Sequence, residues 1–322
     1  MKAVYIEQTG GPEALHYGDL PKPSATPGHA LVKVAAAGVN FIDTYHRSGL
    51  YKLPLPAIIG SEGAGTIETV GDGVTGFKPG DRVAWAMFRG SYTEFAVVPE
   101  NLLVKMPAAV EFQDAAAVML QGMTAHYLTH STFPLKKGDT ALVHAAAGGT
   151  GRLVVQMAKM LGARVIATAG SPQKAEVAKQ AGADDVILYD EQDFAAESRR
   201  LTGGAGVEVV YDSVGKSTFT KSIDSLKPRG MMVSFGNASG PVPAVEPLLL
   251  SQKGSLFLTR PSLGNYIVTR EELDWRAGDL FRWIAEKKLS LLVPHVYKLA
   301  DAAQAHRDLE ARKTTGKLVL TV

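Results

Sequence analysis

The order of hydrophobic and polar residues divides this chain into a strand-rich first third and a later region in which strands and helices alternate. Residues 30–34, 65–70 and 81–85 show the alternation or the short apolar runs of β-strands, and turns containing Gly and Pro separate them. This pattern predicts a twisted, barrel-like β domain. Residues 113–128 are rich in alanine and are predicted to form a helix.

Strand and helix patterns follow one another regularly after residue 139. The predicted strands are residues 140–144, 164–168, 185–188, 207–211, 230–235 and 317–321. The predicted helices are residues 152–161, 174–180, 218–226, 271–287 and 301–311. Repeated βα units of this length are typical of a parallel, doubly wound sheet. The fold class is therefore α/β, with a β-rich domain and a doubly wound domain.

Composition narrows the chemistry that the chain can perform. Its 322 residues are 46% hydrophobic and 20% charged, which is typical of a globular protein of about two domains. The absence of cysteine excludes disulfides, thiolate nucleophiles, iron–sulfur clusters and cysteine-ligated zinc. A net charge of +2 without a long basic run argues against nucleic acid as the main partner.

No membrane segment is expected from the sequence. Glu7 precedes any apolar run that could form a signal peptide, and the uncharged residues 115–135 include two histidines and a proline. We therefore expect a cytoplasmic protein.

A glycine-rich turn joins the strand over residues 140–144 to the helix that follows it. The turn resembles the dinucleotide-binding fingerprint, with Ala146 in place of the first glycine. Its remaining residues are Ala147, Gly148, Gly149, Thr150 and Gly151. Glycines allow backbone N–H groups to approach a pyrophosphate, and the helix N-terminus adds a partial positive charge. The alternative is a tight turn in a sheet that binds no nucleotide.

The end of the next strand indicates which dinucleotide is bound. An NAD site has an acidic residue about 20 residues beyond the glycines, to bind the ribose 2′-hydroxyl. This chain has Ala169 there, followed by Gly170, Ser171 and Lys174. A hydroxyl and an ammonium can bind a 2′-phosphate, which favours NADPH. The alternative for Lys174 is an ordinary solvated helix residue.

Several segments together resemble a known family. They are residues 37–43, 60–65, 78–83, 144–149, 211–215, 233–237, 258–262 and 316–318. Over essentially its whole length, the chain resembles the zinc-free, ζ-crystallin-like NADPH:quinone oxidoreductases of the medium-chain dehydrogenase/reductase superfamily. The resemblance implies a GroES-like catalytic domain, residues 1–122 completed by 265–322. It also implies an NADP(H)-binding Rossmann domain over residues 123–264.

Two positions distinguish the chain from zinc alcohol dehydrogenases. Asn40 stands where that branch has a Cys ligand, and Ser61 stands where it has a His ligand. The four-cysteine structural lobe is also missing. A catalytic zinc requires about three protein ligands. We therefore expect no metal.

The resemblance implies that NADPH lies in a cleft between the domains. The cofactor-binding residues that it implies are Asn40, Tyr45, Thr124, Ala147, Gly148, Gly149, Thr150, Gly151, Gly170, Ser171, Lys174, Tyr189, Ser213, Phe235, Asn237, Phe257, Leu258 and Lys317. Ser213 and Phe235 also follow predicted strands, and ligands of doubly wound sheets bind beyond the carboxyl ends of strands.

The same resemblance suggests a catalytic set of Asn40, Tyr45, Tyr51 and Arg260. Asn40 is interpreted as an amide donor near the quinone oxygen, and the two tyrosines as flanking a flat ring. The alternative for each aromatic residue is simple packing at a domain edge. No proton donor is identified. His46 is interpreted as a rim residue.

Other motifs do not change this interpretation. His126 and His130 have the i, i+4 spacing of metal ligands, but the Glu of the metalloprotease motif is absent, so a helix with two polar positions is expected. The leading hypothesis is an NADPH-dependent quinone reductase. The alternatives are an NADPH-dependent enone or 2-alkenal reductase and an NADPH-binding protein that interacts with RNA. A homodimer is expected through the apolar residues 254–259.

Overall fold

In the computed structural model, which describes residues 1–322, the chain divides into two units. The first comprises Met1–Met123 and Tyr266–Val322, and the second comprises Thr124–Asn265. No helix is both long enough and apolar enough to cross a membrane.

Sixteen strands and nine α-helices make up the two units. The strands are β1 (Lys2–Ile6), β2 (His16–Asp19), β3 (His29–Val39), β4 (Ala57–Ile58), β5 (Glu62–Val70), β6 (Arg82–Ala86), β7 (Phe95–Pro99), β8 (Val104–Lys105), β9 (Thr140–Val143), β10 (Arg164–Ala169), β11 (Asp185–Leu188), β12 (Val207–Asp212), β13 (Leu226–Ser234), β14 (Phe257–Thr259), β15 (His295–Lys298) and β16 (Leu318–Thr321). The helices are α1 (Phe41–Ser48), α2 (Phe112–Tyr127), α3 (Gly149–Met160), α4 (Pro172–Gln180), α5 (Phe194–Leu201), α6 (Phe219–Ser225), α7 (Pro247–Gln252), α8 (Arg270–Ala285) and α9 (Ala302–Glu310).

The first unit is built on a large, mainly antiparallel sheet. Its strand order is β15-β16-β3-β5-β6-β8, with β7 also paired to β3, and β2-β1-β4 form a second sheet. Buried side chains such as Trp85 and Ile67 fill one core of the unit, and Ile59 and Leu318 belong to another. In the register of β16 against β3, Leu318 lies opposite Val39. This pairing brings the residues just outside it, Lys317 and Asn40, to the same end of the sheet.

The second unit contains a six-stranded sheet of order β11-β10-β9-β12-β13-β14. All neighbouring strands in it are parallel. The order reverses between β9 and β12, which is the position where doubly wound sheets bind ligands. Leu142, Ile166, Val210 and Met232 form part of its buried core. The predicted doubly wound sheet is confirmed.

The sequence prediction did not include α1, the helix that follows Asn40. Its first turn is fixed by Asp43, whose carboxylate accepts a hydrogen bond from the Asn40 backbone N–H at 2.9 Å. Asn40 and Asp43 have the spacing of a capping box, so the signal was present in the sequence. The helix ends at Gly49, whose φ of 83° is the left-handed conformation that glycine adopts without strain.

Candidate active site

Asn40 lies between β3 and α1, and protein atoms surround its side-chain amide. Its Oδ1 accepts hydrogen bonds from Lys317 Nζ at 2.7 Å and from Gln121 Nε2 at 3.1 Å. Its Nδ2 donates to Glu62 Oε2 at 2.8 Å and to the Gly38 carbonyl at 3.3 Å. Both amide hydrogens therefore point to protein oxygens. Donation to a substrate oxygen requires one of these bonds to be exchanged.

A buried ion pair supports this amide. Lys317 Nζ lies 2.6 Å from Glu62 Oε2, and the two side chains are 4% and 0% exposed. Burial lowers the pKa of Lys317, and the neighbouring Glu62 carboxylate opposes that shift. Gly38 is required beside the pair, because a Cβ at that position would lie 2.2 Å from Glu62 Oε2. We refer to Asn40, Glu62, Gln121 and Lys317 as the amide cluster.

Two hydrogen-bonding positions of the amide cluster have no protein partner. The Lys317 ammonium has three N–H bonds, and two of them point to Asn40 and Glu62. The Gln121 Oε1 atom is buried and accepts no hydrogen bond from the protein. The cluster thus retains one donor and one acceptor. Of its members, sequence analysis identified Asn40 and Lys317 but missed Glu62 and Gln121.

Ser61 belongs to a second buried group, centred on Asp43. Ser61 Oγ donates to Asp43 Oδ1 at 2.7 Å, and the Tyr92 hydroxyl donates to Asp43 Oδ2 at 3.2 Å. Burial raises the pKa of Asp43 to about 6, while these hydrogen bonds lower it. Ser61 therefore holds a carboxylate that fixes α1.

The Asp43 group continues to α9 through a neutral histidine. His306 Nε2 lies 3.2 Å from the Tyr92 hydroxyl, and Arg47 Nη1 lies 3.1 Å from His306 Nδ1. Because a guanidinium can only donate, Nδ1 accepts and Nε2 carries the hydrogen. Burial lowers the pKa of His306 to about 3, with the Arg47 charge acting in the same direction. Arg47 also pairs with Glu310, so these bonds tie α1 to α9.

Helix α1 and the residues after it bring together the predicted aromatic residues. The rings of Tyr45 and Tyr51 lie 5.3 Å apart at 67°, and the His46 ring lies 6.0 Å from that of Tyr51. Tyr45 and Tyr51 are half-buried. Burial lowers the pKa of His46 to about 4, and the charge of Arg89 adds to this shift. Arg260, the fourth predicted catalytic residue, belongs to the second unit and is exposed.

The glycine turn of the second unit leaves the start of α3 open. Gly148 precedes the helix, and no side chain caps it. Ala145 has a φ of 50°, and its carbonyl accepts from Gly148 N at 2.9 Å. A Cβ at Gly151 would lie 2.4 Å from the Ala145 oxygen, so only glycine fits there. The uncapped N–H groups of the first turn suit a pyrophosphate, which is the group that the fingerprint predicts.

The residues predicted around a 2′-phosphate lie together beyond β10 and β11. Ser171 Oγ accepts from Lys174 N at 3.3 Å and caps α4. A Cβ at Gly170 would lie 2.7 Å from the Tyr189 hydroxyl and 3.5 Å from Asp190 Oδ2. Asp190 is an exposed carboxylate that sequence analysis did not consider. Its charge opposes phosphate binding.

The residues predicted around a nicotinamide occupy the ends of β12, β13 and β14. The Ala238 N–H donates to the Ser213 carbonyl at 3.2 Å, which joins the loops that contain Ser213, Phe235 and Asn237. Leu258 is half-buried, and Phe257 beside it is 58% exposed. Thr124 is buried in α2.

His126 lies near the end of α2, and His130 lies in the short π-helix, Leu128–Thr132, that follows it. The rings of His126 and His130 stack 4.2 Å apart, and His126 is fully buried. No group of three or more His, Asp or Glu side chains is arranged to hold a metal ion.

Known proteins that are similar over the whole length show the family of this chain. Two family models match the chain. The model described as "Alcohol dehydrogenase GroES-like domain" matches residues 26–108, and the one described as "Zinc-binding dehydrogenase" matches residues 149–282. A quinone oxidoreductase of Pseudomonas aeruginosa is 49% identical over 321 residues, covering 99% of both chains. The chain belongs to the quinone oxidoreductases of the medium-chain dehydrogenase/reductase superfamily. This oxidoreductase is also 42% identical to a 2-haloacrylate reductase of Burkholderia, over 99% of its own length and 98% of the relative.

A solved structure supports the same assignment for the whole fold. The Escherichia coli quinone oxidoreductase, crystallised with NADPH, is 44% identical to this oxidoreductase and superimposes with a TM-score of 0.98 over 100% of both chains. The predicted family and fold class are thus confirmed. The Asn40 amide is hydrogen-bonded to Lys317 and Glu62, and the Ser61 hydroxyl is hydrogen-bonded to Asp43.

Proposed function

We propose that this enzyme is an NADPH-dependent quinone reductase that works without zinc. The observation that carries the proposal is the uncapped start of α3, with Gly170, Ser171 and Lys174 grouped at the end of the next strand. An open helix N-terminus suits a pyrophosphate, and the hydroxyl and ammonium suit a 2′-phosphate. The NADPH complex of the Escherichia coli relative supports this choice of cofactor.

The residues that would hold NADPH form three groups in the second unit. Residues 147–151 bind the pyrophosphate, and Gly170, Ser171, Lys174 and Tyr189 surround the 2′-phosphate. Ser213, Phe235, Asn237 and Leu258 line the nicotinamide side. When bound, NADPH supplies the hydride for reduction.

The substrate side is assigned to the first unit. Tyr45 and Tyr51, at 67° to one another, provide aromatic surface for a flat acceptor. Negative charge develops on a quinone oxygen as it is reduced, and a hydrogen-bond donor in a water-poor site stabilises such charge strongly. The third N–H of Lys317 is assigned this role, and Asn40 orients the ammonium. A quinone accepts electrons without the help of a Lewis acid. This agrees with an amide at position 40 and a hydroxyl at position 61 in place of metal ligands.

A comparison of acceptors tests the proposal. Steady-state assays with NADPH should show efficient turnover of 1,4-benzoquinone and slower turnover of a simple enone. Negligible quinone turnover by folded enzyme that binds NADPH would contradict the proposal. Elemental analysis should find no stoichiometric metal, whereas one tightly bound zinc per chain would overturn the assignment of Asn40 and Ser61.

Reduction of an activated alkene is the second candidate. The relative from Burkholderia is named for reducing a 2-haloacrylate, an alkene conjugated to a carboxylate. Such a substrate needs the same hydride donor and a donor group for the developing charge. A higher kcat/KM for an enone, a 2-alkenal or a 2-haloacrylate than for any quinone would favour this candidate.

A homodimer, a cytoplasmic location and the two-domain division at residues 122/123 and 264/265 belong to the same proposal. Strand β14 is at one edge of its sheet and pairs only with β13. Phe257 on this strand is 58% exposed, and Leu248 on α7 is 61% exposed. An apolar edge strand suits pairing with a second copy.

A further inference from the structure

A buried polar chain connects the ends of three neighbouring strands in the second unit. His144, directly after β9, is fully buried, with Nδ1 2.9 Å from Thr168 Oγ1 on β10 and Nε2 2.9 Å from Ser222 Oγ on α6. Ser222 Oγ in turn lies 3.0 Å from Asp212 Oδ2, at the end of β12. We refer to Thr168, His144, Ser222 and Asp212 as the strand-end chain.

The hydrogen bonds of the strand-end chain have a definite direction. The Ser222 hydroxyl donates to the Asp212 carboxylate, the strongest acceptor near it. We therefore assign the imidazole hydrogen to Nε2 of His144, which donates to Ser222, while Nδ1 accepts from the Thr168 hydroxyl. Burial lowers the pKa of His144, with the Asp212 charge opposing the shift, so the ring is neutral.

Three residues of the strand-end chain, His144, Thr168 and Asp212, each adjoin one of the loops assigned to NADPH. The glycine turn begins at Ala145, immediately after His144, and the loop with Gly170 and Ser171 follows Thr168 by two residues. The loop containing Ser213 follows Asp212, whose Oδ1 accepts from the N–H groups of residues 214 and 215 at 2.8 and 2.9 Å. Three loops from three strands thus meet one hydrogen-bonded chain.

Backbone bonds reinforce the same connections. The His144 N–H donates to the Tyr211 carbonyl at 3.1 Å, and the Ala146 N–H donates to the Thr168 carbonyl at 3.2 Å. His144 also packs edge-on against Phe194, with ring centroids 4.7 Å apart. A phenyl ring could make that contact equally well. Packing alone therefore does not account for an imidazole bonded at both nitrogens.

We propose that His144 is a positioning residue for NADPH, because its two side-chain hydrogen bonds hold three cofactor-binding loops at fixed separations. The proposal rests on NADPH being the cofactor. A single dinucleotide has to contact all three loops, so a small displacement of one loop weakens binding at the others. Fully satisfied buried polar chains specify a unique geometry in this way.

Three substitutions test the hydrogen bonds of the strand-end chain. His144→Phe replaces the imidazole with a phenyl ring, which can keep the contact with Phe194 but makes neither hydrogen bond. Thr168→Val is close in shape and removes only the bond at Nδ1. Ser222→Ala removes the bond at Nε2 together with the bond between Ser222 and Asp212. The dissociation constants of NADPH and of 2′,5′-ADP, a fragment without the nicotinamide half, are measured by fluorescence and calorimetry together with thermal unfolding.

The expected pattern differs between the two ligands. His144→Phe should raise the Kd of NADPH about tenfold, the effect of losing two buried hydrogen bonds. Thr168→Val should raise the Kd of both ligands by a similar factor, about threefold. Ser222→Ala should raise the Kd of NADPH about threefold and leave that of 2′,5′-ADP unchanged, because the Ser213 loop contacts only the other half.

Ser225→Ala is the matched control. Ser225 is also buried on α6, and its hydroxyl donates to the Lys221 carbonyl one turn earlier. Ser222 Oγ lies at a similar distance, 2.9 Å, from the Thr218 carbonyl. This variant should change thermal stability without changing either Kd. If His144→Phe lowers the unfolding temperature but leaves both Kd values within about twofold, His144 is only structural and the proposal is wrong.

Two further outcomes are distinguishable. Should His144→Phe fail to fold, Thr168→Val and Ser222→Ala decide, and equal effects of Ser222→Ala on the two ligands would overturn the loop assignment. Folded wild-type protein that does not bind NADPH would instead contradict the proposed function.

Discussion

At the scale of single residues, the Asn40 amide is hydrogen-bonded to protein atoms on all sides. The sequence had suggested an amide that donates to a quinone oxygen. The hydrogen bonds of Asn40 depend on Glu62 and Lys317, which are 255 residues apart in the chain. No local pattern predicts that a carboxylate and an ammonium so distant will meet at one amide. Lys317 was predicted only through family resemblance, and its ion pair with Glu62 becomes visible only in the fold.

Removing one partner of this buried pair should destabilise the protein strongly. We expect Lys317→Met to lower the free energy of unfolding by about 3–5 kcal/mol, because it leaves the Glu62 carboxylate buried without a cation. Lys317→Met combined with Glu62→Gln should recover part of the loss. Urea denaturation measures both.

The matched control is the exposed pair of Lys2 and Asp19, whose side chains are 43% and 74% exposed. Lys2→Met should leave the free energy of unfolding nearly unchanged, because exposed ion pairs stabilise proteins little. A similar effect of Lys2→Met and Lys317→Met would show that burial of the ion pair is energetically unimportant.

Charges near the assigned 2′-phosphate site should control cofactor preference. Lys174→Ala should raise the KM for NADPH about fivefold and leave that for NADH nearly unchanged, because only NADPH has the 2′-phosphate. Equal effects on both cofactors would contradict the assignment.

Asp190 should act in the opposite direction. Asp190→Asn removes a negative charge near Gly170 and should lower the KM for NADPH about twofold at low salt, with a smaller effect at high salt. The KM for NADH is the internal control. An increase in the KM for NADPH would mean that Asp190 contributes to cofactor binding instead.

At the scale of elements, the sequence was most informative in the second unit. Buried parallel strands such as β9 and β12 are short apolar runs between turns, so local pattern predicted them with small errors at the ends. The structure also contains β1, β2 and β15, which were not predicted. In β2, three of the four residues are exposed, so its place in the sheet depends on pairing with β1 and not on its own hydrophobicity.

Within the glycine turn, two positions should respond differently to an added methyl group. Gly151→Ala places its Cβ 2.4 Å from a backbone oxygen, which cannot move without deforming the turn. Gly148→Ala meets the same oxygen at 3.2 Å. We expect Gly151→Ala to raise the Kd of NADPH at least about tenfold and Gly148→Ala to raise it less. Unchanged Kd values for both variants would show that this turn does not bind the cofactor.

The contact between α1 and α9 should make stability depend on pH. The pKa of His306 falls from 6.5 to about 3 on folding, so the unfolded chain takes up a proton first as the pH falls. The stabilisation is complete above pH 6.5 and is lost as the pH falls towards 3. Asp43, with a pKa raised to about 6, has the opposite effect between pH 6 and 4. The effect of His306 must therefore be measured as the difference in stability between the wild type and a His306 variant that retains Asp43.

From pH 6.5 to 5.0, the free energy of unfolding of the wild type should fall by about 2 kcal/mol relative to that of His306→Gln. Urea denaturation at both pH values measures the difference. His16→Gln, at an exposed position on β2, is the control for the loss of a histidine. Parallel pH curves for wild type and His306→Gln would contradict the assignment of a neutral, buried imidazole.

At the scale of the whole molecule, the exposed edge of the second unit should determine assembly. Phe257→Lys places a charge on β14, and charged edge strands resist pairing with another chain. We expect the wild type to have the mass of a dimer by light scattering and Phe257→Lys to shift towards monomer. Val268→Lys, at an exposed residue of the first unit, is the control and should leave the mass unchanged.

The arrangement of the amide cluster also has a consequence during translation. Ribosomes add roughly 5–20 residues per second, so the 255 residues that separate Glu62 from Lys317 take on the order of tens of seconds to synthesise. Throughout that time Glu62 lacks the Lys317 ammonium, and burial of its carboxylate without that cation is unfavourable. The second unit, residues 124–265, emerges whole in the same interval. We therefore expect the second unit, which is inserted in the sequence of the first, to fold before β16 completes the first unit.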